Sequence, residues 1–141
     1  MQVMGKSSID ITPIRDYLES LIARYPAISS VWLMGSRANG AARPDSDWDL
    51  MVFADATILE RLKSEEKQTA EELNIDLFVV YDGDNFEKPF WNSKSKTPKG
   101  DSLTSWRWRT VQPNLALYRR TNLPWEREPT QTRKAIKIWP D

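Results

Sequence analysis

Three short apolar runs limit how this chain can fold: AISSVWLMG (27–35), DWDLMVFA (47–54) and IDLFVVY (75–81). Each has strand length, is rich in β-branched and aromatic residues, and ends at turn-forming residues. Helical patterns surround them. Ile14, Tyr17, Leu18, Leu21 and Ile22 recur at helical spacing behind Pro13, with Ser8 or Asp10 placed to cap the start. That helix should end near Tyr25, because Pro26 disfavours helix in the residue before it. Residues 56–73 predict a second helix that turns Ile58, Leu62, Thr69, Ala70 and Leu73 inward. SRANG (36–40) reads as a short helix or turn and GAARPDS (40–46) as a loop. Strands and helices therefore share one α/β chain of 141 residues, long enough for one domain with a real core.

Beyond Tyr81 the periodic signal weakens. Residues 82–102 carry Gly, Pro, Ser, Asn and Lys in loop proportions. LTSWRWRTV (103–111) alternates as a strand does, and LALYRRT (115–121) suits a strand or a short helix. Residues 122–141 contain three prolines and predict an extended tail. Five tryptophans (Trp91, Trp106, Trp108, Trp125 and Trp139) argue against a simple disordered linker, a composition poor in aromatics. The expected division is a core over residues 1–87 and a basic, tryptophan-rich C-terminal extension over 88–141, packed on the core or reaching beyond it.

Charge divides at the same place. The net charge is zero, yet residues 1–87 hold 8 basic against 16 acidic side chains and residues 88–141 hold 12 against 4. The halves either attract each other on folding or serve different electrostatic roles.

What the chain lacks narrows its chemistry. With no cysteine, disulfides and thiolate metal sites are excluded. With no histidine, imidazole-ligated zinc and Ser-His or Cys-His catalysis are excluded as well. Any chemistry must rest on carboxylates, lysine, arginine, hydroxyls and hard metal ions. No apolar run approaches the roughly 18 residues of a membrane span, and MQVMGKSSID lacks a signal-peptide core. The expectation is a cytoplasmic protein with no membrane partner.

Two aspartates open the second apolar run. Side chains alternate along a strand, so Asp47 and Asp49 share a face about 6–7 Å apart while Trp48 points the other way. A lone Asp-x-Asp at a strand start commonly just faces water. Carboxylates held this close repel unless a cation or proton joins them, and Mg²⁺ takes such oxygen ligands. Asp76, at the head of the third run, is a costly place for an unpaired charge. It is either a capping residue or a third carboxylate of a site for two metal ions. Gly35 and Ser36 end the first run, where glycine lets a phosphate approach the backbone and the hydroxyl adds a donor. Arg37 stands within reach of phosphates or of the acidic cluster.

Gly-Ser, ten residues, then Asp-x-Asp, with apolar residues on both sides, resembles the DNA polymerase β-like nucleotidyltransferase superfamily. More narrowly, GSRANG and SDWDLMVF resemble the minimal nucleotidyltransferases. The resemblance covers roughly residues 10–81. It implies an α/β (α+β) fold, a small mixed sheet flanked by helices. It implies that Gly35 and Ser36 hold nucleotide phosphates and that Asp47, Asp49 and Asp76 bind Mg²⁺, with two ions expected. Asp76 would also help deprotonate an acceptor hydroxyl. The implied reaction transfers a nucleoside monophosphate, AMP from ATP above all, to a hydroxyl with release of pyrophosphate. Family members of this size include proteins that AMPylate a HEPN-type toxin partner in a toxin–antitoxin pair. The segment SWRWRTVQPNLALYRRTNLPWEREP does not match the helical substrate domain of the antibiotic-modifying or RNA-tailing relatives.

Two other functions compete with a protein acceptor. Arg107 and Arg109 alternate with Trp106 and Trp108, so one face can present guanidinium groups to RNA phosphates and the other rings to bases. The plainer meaning is buried tryptophans and solvated arginines. A small-molecule acceptor such as an antibiotic belongs to the same class. The third function is a non-catalytic module whose extension wraps a partner protein.

Overall fold

The computed structural model describes residues 9–95, 97–120 and 131–140. The first helix, α1 (Thr12–Arg24), carries Pro13 in its first turn. The Asp10 carboxylate accepts the Thr12 N–H at 2.9 Å, while Ser8 lies outside the described residues. Strand β1 (Ser30–Leu33) leads into the single turn α2 (Gly35–Ala38). Strand β2 (Trp48–Phe53) pairs antiparallel with β1, and β3 (Ile75–Val80) pairs parallel with β2.

The helix expected over 56–73 is two helices, α3 (Thr57–Glu65) and α4 (Lys67–Glu72). They meet at Glu66, whose side chain turns inward and is 2% exposed. Its carboxylate ion-pairs with Arg24 and accepts the Tyr17 hydroxyl at 2.7 Å and the Tyr25 hydroxyl at 2.9 Å. Burial works against that charge, but hydrogen bonds from Arg24, Tyr17 and Tyr25 outweigh it and hold the carboxyl below its usual range. Ile58, Leu62 and Ala70 face the core as expected, whereas Thr69 is exposed. The inward polar position belongs to Glu66 instead.

The chain beyond Tyr81 builds sheet on both flanks of these strands. β4 (Asn85–Glu87) and β5 (Gly100–Ser102) extend it past β3. β6 (Arg109–Gln112), β7 (Leu115–Tyr118) and β8 (Arg133–Trp139) extend it past β1. The order across the sheet is β5-β4-β3-β2-β1-β8-β7-β6. The expected tail is thus partly an interior strand: β8 lies between β1 and β7. Pro140 follows the last residue of the strand instead of interrupting it, where proline would remove a ladder hydrogen bond. Residues 122–130, with Trp125, lie outside the described residues.

The two faces of the sheet carry different cores. One packs Val31, Leu33, Leu50, Val52, Leu77 and Val79 against Leu18, Leu21, Ile58 and Leu62 of the helices. The other packs Trp32, Met51, Phe78, Val80 and Phe86 around Trp106, Tyr118 and the half-buried Trp108. Residues 103–108 are not the extended strand their alternation predicts. Arg107 has a left-handed backbone (φ 55°), and the Trp108 N–H closes a turn on the Leu103 carbonyl at 3.0 Å. This turn crosses the helix-free face. Trp106 meets Phe78 of β3 at 5.9 Å and stacks on Tyr118 of β7 at 5.5 Å, although three strands separate β3 from β7. The sheet is curled around that indole. Both tryptophans are core and Arg107 and Arg109 are exposed, so the rings are not free to stack on bases.

Candidate active site

Strand alternation decides where the acids point. On β2, Leu50 and Val52 face the helices while Met51 faces the curled side, so Asp49 shares the face of Met51. On β3, Leu77 faces the helices and Phe78 the curled side, which puts Asp76 on that same face. Asp49 and Asp76 are register partners across the parallel β2–β3 pair. Asp47 precedes β2, where the Trp48 N–H donates to the Asn74 carbonyl at 2.8 Å and fixes the strand entry. Trp48 itself is 4% exposed in the helix-side core, turned away from the acids.

The three carboxylates act on one another's charge. Withdrawal from water, then repulsion from Asp76 and Asp47, pushes the Asp49 carboxyl up to about 6. The same two causes, burial and then Asp76, raise Asp47. Asp76 lines two adjoining clefts. One of about 190 Å³ is shared with Asp47, Glu71, Asn74 and Ile75. The other, about 410 Å³, is shared with Lys88, Phe90, Trp91, Asn92, Lys94 and Ser95.

Gly35 belongs to the site for a steric reason. Its φ is +66°, and a Cβ there would collide with the Asp49 carboxylate. The Met34 N–H also donates to the Asp49 carbonyl at 2.8 Å, which draws the β1–α2 turn onto β2. Gly35→Ala should cost roughly 1–2 kcal/mol for the left-handed backbone and displace the Asp49 carboxylate besides. Thermal unfolding checks the first effect. A fall in the raised Asp49 pKa, followed by carbonyl NMR, checks the second.

Ser36 follows Gly35 in α2. Arg37 stacks 3.9 Å over the Trp48 ring and donates to the Ser46 carbonyl at 2.8 Å, so it ties down the loop leading to Asp47. It is still close enough to favour the Asp47 carboxylate.

Three contributing residues, Lys88, Arg120 and Tyr118, gave no signal in the sequence, since only tertiary pairing brings them here; a fourth, Asn39, stands within GSRANG. Lys88 Nζ lies 2.9 Å from Asp76 Oδ2. Arg120 follows β7; its Nε is buried with no hydrogen-bond partner, and its guanidinium lies 4.9 Å from the Trp106 ring. Burial lowers the Arg120 pKa, while the Asp49 charge opposes that. The Tyr118 hydroxyl accepts the Gly35 N–H at 3.4 Å. Asn39 bonds the Lys134 backbone both ways, at 3.1 and 3.0 Å, and its amide also donates to the Gly35 carbonyl at 2.7 Å. The basic half of the chain thus places a lysine and an arginine at the acidic half's carboxylates.

The donor set suits a hard divalent cation: oxygen ligands only, on one face, with mutual repulsion that a cation relieves. Among the described residues no three acidic groups form a ready-made cage. Mg²⁺ does not need one, since it keeps waters and takes one or two carboxylates together with substrate phosphates.

Residues 16–80 match a family model described as polymerase beta, nucleotidyltransferase. The match runs from within α1 to the last residue of β3, so it holds every acidic residue of the site and neither Lys88 nor Arg120. This segment, a little under half of the chain, is similar to a polymerase β-like nucleotidyltransferase domain, which supports a nucleotidyltransferase in general. No curated protein and no solved structure gives a significant match. No helix among the described residues is long and apolar enough to cross a membrane.

Proposed function

We propose that the protein transfers a nucleoside monophosphate, AMP from ATP, to a hydroxyl acceptor with release of pyrophosphate. The observation that carries this reading is the in-register pair Asp49–Asp76 with Gly35 packed against the Asp49 carboxylate. Asp47, Asp49 and Asp76 would hold Mg²⁺, two ions in the full site. Bound Mg²⁺ supplies neutralisation of the triphosphate and of the pyrophosphate as it leaves.

The chain's own residues do the rest. Gly35 and Ser36 present backbone N–H groups and a hydroxyl to the phosphates, at a turn where no Cβ stands in the way. Arg37 fixes the loop before Asp47. Arg120, with a buried donor unpaired, faces the negative charge that grows on the leaving group. Asp76 takes the proton of the acceptor hydroxyl. The acceptor oxygen then forms a bond to the α-phosphorus as the bond from that phosphorus to the bridging β-phosphate oxygen breaks and pyrophosphate leaves. Positioning and electrostatics supply the rate.

The acceptor we favour is a protein hydroxyl, on a partner such as a HEPN-type toxin. Co-expression tests it: stoichiometric co-purification with a modified partner supports this acceptor, and an unmodified partner removes it. An RNA acceptor is favoured by one observation. Arg107, Arg109 and Arg119 line a small pocket of about 60 Å³ with Tyr118. Binding that weakens steeply with salt would support RNA.

The reaction is tested with α-labelled ATP and Mg²⁺. Label should enter an acceptor with the wild type and be lost with Asp47→Asn or Asp76→Asn. Equal labelling by the variants would exclude these carboxylates from the chemistry.

A further inference from the structure

Lys88 is held by more than its ion pair. Its side chain is 11% exposed, and its ammonium lies 3.3 Å from Thr97 Oγ1 and 5.0 Å from the Phe78 ring, besides the 2.9 Å contact with Asp76. Its backbone is fixed by an N–H bond to the Lys99 carbonyl at 2.9 Å. Thr97 in turn accepts the Trp91 indole N–H through its carbonyl at 2.7 Å and meets Ser95 Oγ at 3.1 Å. A chain of contacts therefore runs from Asp76 through Lys88 and Thr97 to Trp91. Lys88, Trp91 and Ser95 line the 410 Å³ cleft that opens on Asp76.

The ammonium and a divalent cation compete for one carboxylate. Two positive centres on Asp76 would repel at a distance where little water screens them. The Lys88 backbone is tied, so the side chain is what gives way, and the space beside it is the aromatic cleft.

We propose that Lys88 is a displaceable counter-ion of Asp76, a positioning residue that couples cation binding at the carboxylates to the Trp91 wall of the neighbouring cleft. While the carboxylates lack a cation, Lys88 neutralises Asp76 and keeps the wall drawn in through Thr97. Cation binding takes the place of Lys88 on Asp76, turns the lysine out, and rearranges the wall where the acceptor enters. The inference rests on the reading of these aspartates as metal ligands.

Mn²⁺ titration of the full chain without nucleotide tests it. Bound ion is followed by electron paramagnetic resonance and the wall by the emission that Trp91→Phe removes. Lys88→Met should bind Mn²⁺ roughly tenfold more tightly than wild type, the scale of one close like charge removed. Lys88→Gln serves if that variant does not fold. Lys88→Arg, which keeps the charge, should bind no more tightly than wild type. In an Asp76→Asn background the Lys88→Met effect should fall below twofold. The Trp91 emission should change with Mn²⁺ in the wild type and stay constant in Lys88→Met. Equal affinity of wild type and Lys88→Met, tight binding by Lys88→Arg, or a Trp91 signal blind to Mn²⁺ overturns the proposal alone. No Mn²⁺ binding by either protein overturns it together with the metal-ligand reading.

Discussion

Asp49→Asn is expected to abolish nucleotide transfer and, without metal, to make the protein more stable. The activity loss should be on the order of 10²–10³-fold or more, the cost of removing one preorganised electrostatic contact. The gain in stability follows from the raised carboxyl. Its folded pKa is about 6 against an ordinary 3.8, so ionisation above pH 6 opposes folding. Two pKa units correspond to about 3 kcal/mol. Water reaching this half-buried group and the loss of a favourable charge beside Arg120 reduce that to roughly 1–2 kcal/mol. The sign fixes the pH window. The variant's advantage is full above pH 6, shrinks as pH falls through 6, and is gone below 3.8, where the wild-type carboxyl is neutral in both states. Thermal unfolding of both proteins at pH 7.5 and pH 4, in chelator, reads this directly. An advantage equal at both pH values would show that Asp49 is not strained by its charge.

Glu66→Ala carries the largest expected loss of stability, about 2–3 kcal/mol, the scale for removing a buried charged acceptor whose partner Arg24 stays within reach of water. That is a large part of the 5–15 kcal/mol typical of a domain. Arg24 loses its ion-pair partner and the Tyr17 hydroxyl its acceptor, while the Tyr25 hydroxyl keeps only Glu65, at 3.1 Å. Glu66→Gln keeps an acceptor for the tyrosines and should cost less. The Glu66 carboxyl is held below its ordinary value of 4.5, so its contribution is complete above pH 4.5. The gap between wild type and variant should narrow as pH falls below that. Urea titration at pH 7 and pH 3.5 measures both, and a loss under 1 kcal/mol at pH 7 would show the network to be ornamental.

Much of the site could be read because it lies on strands whose apolar pattern is strong. Asp47, Asp49 and Asp76 interrupt runs that otherwise demand burial, and Gly35-Ser36 sits at a fixed distance before them. The role of Gly35 was only half visible: no spacing rule says that the Asp49 carboxylate fills the place of its missing Cβ. Lys88 and Arg120 were invisible for a different reason. Both come from segments where Gly, Pro and charge hide the period, and strand pairing alone carries them to Asp76 and Asp49. Glu66 looked like one more solvated acid within a helical pattern, because an inward partner such as Arg24 leaves no mark 42 residues away. β8 escaped notice because Ala135 and Ile138, its buried residues, are three apart, and the register against β1 shifts between Val31 and Trp32.

The bond pair between Asn39 and Lys134 has a consequence for synthesis. A nascent chain that has emerged through Val80 already displays all three aspartates and Gly35-Ser36. Yet β1 then has a bare edge where β8 belongs, and Asn39 has nothing to grip. An unpaired edge of this kind invites association with other chains. The ribosome must release residues 133–139 before the turn at Gly35 is locked. An early stop would leave a fragment with Asp47, Asp49 and Asp76 in place and β1 uncovered, prone to capture by chaperones.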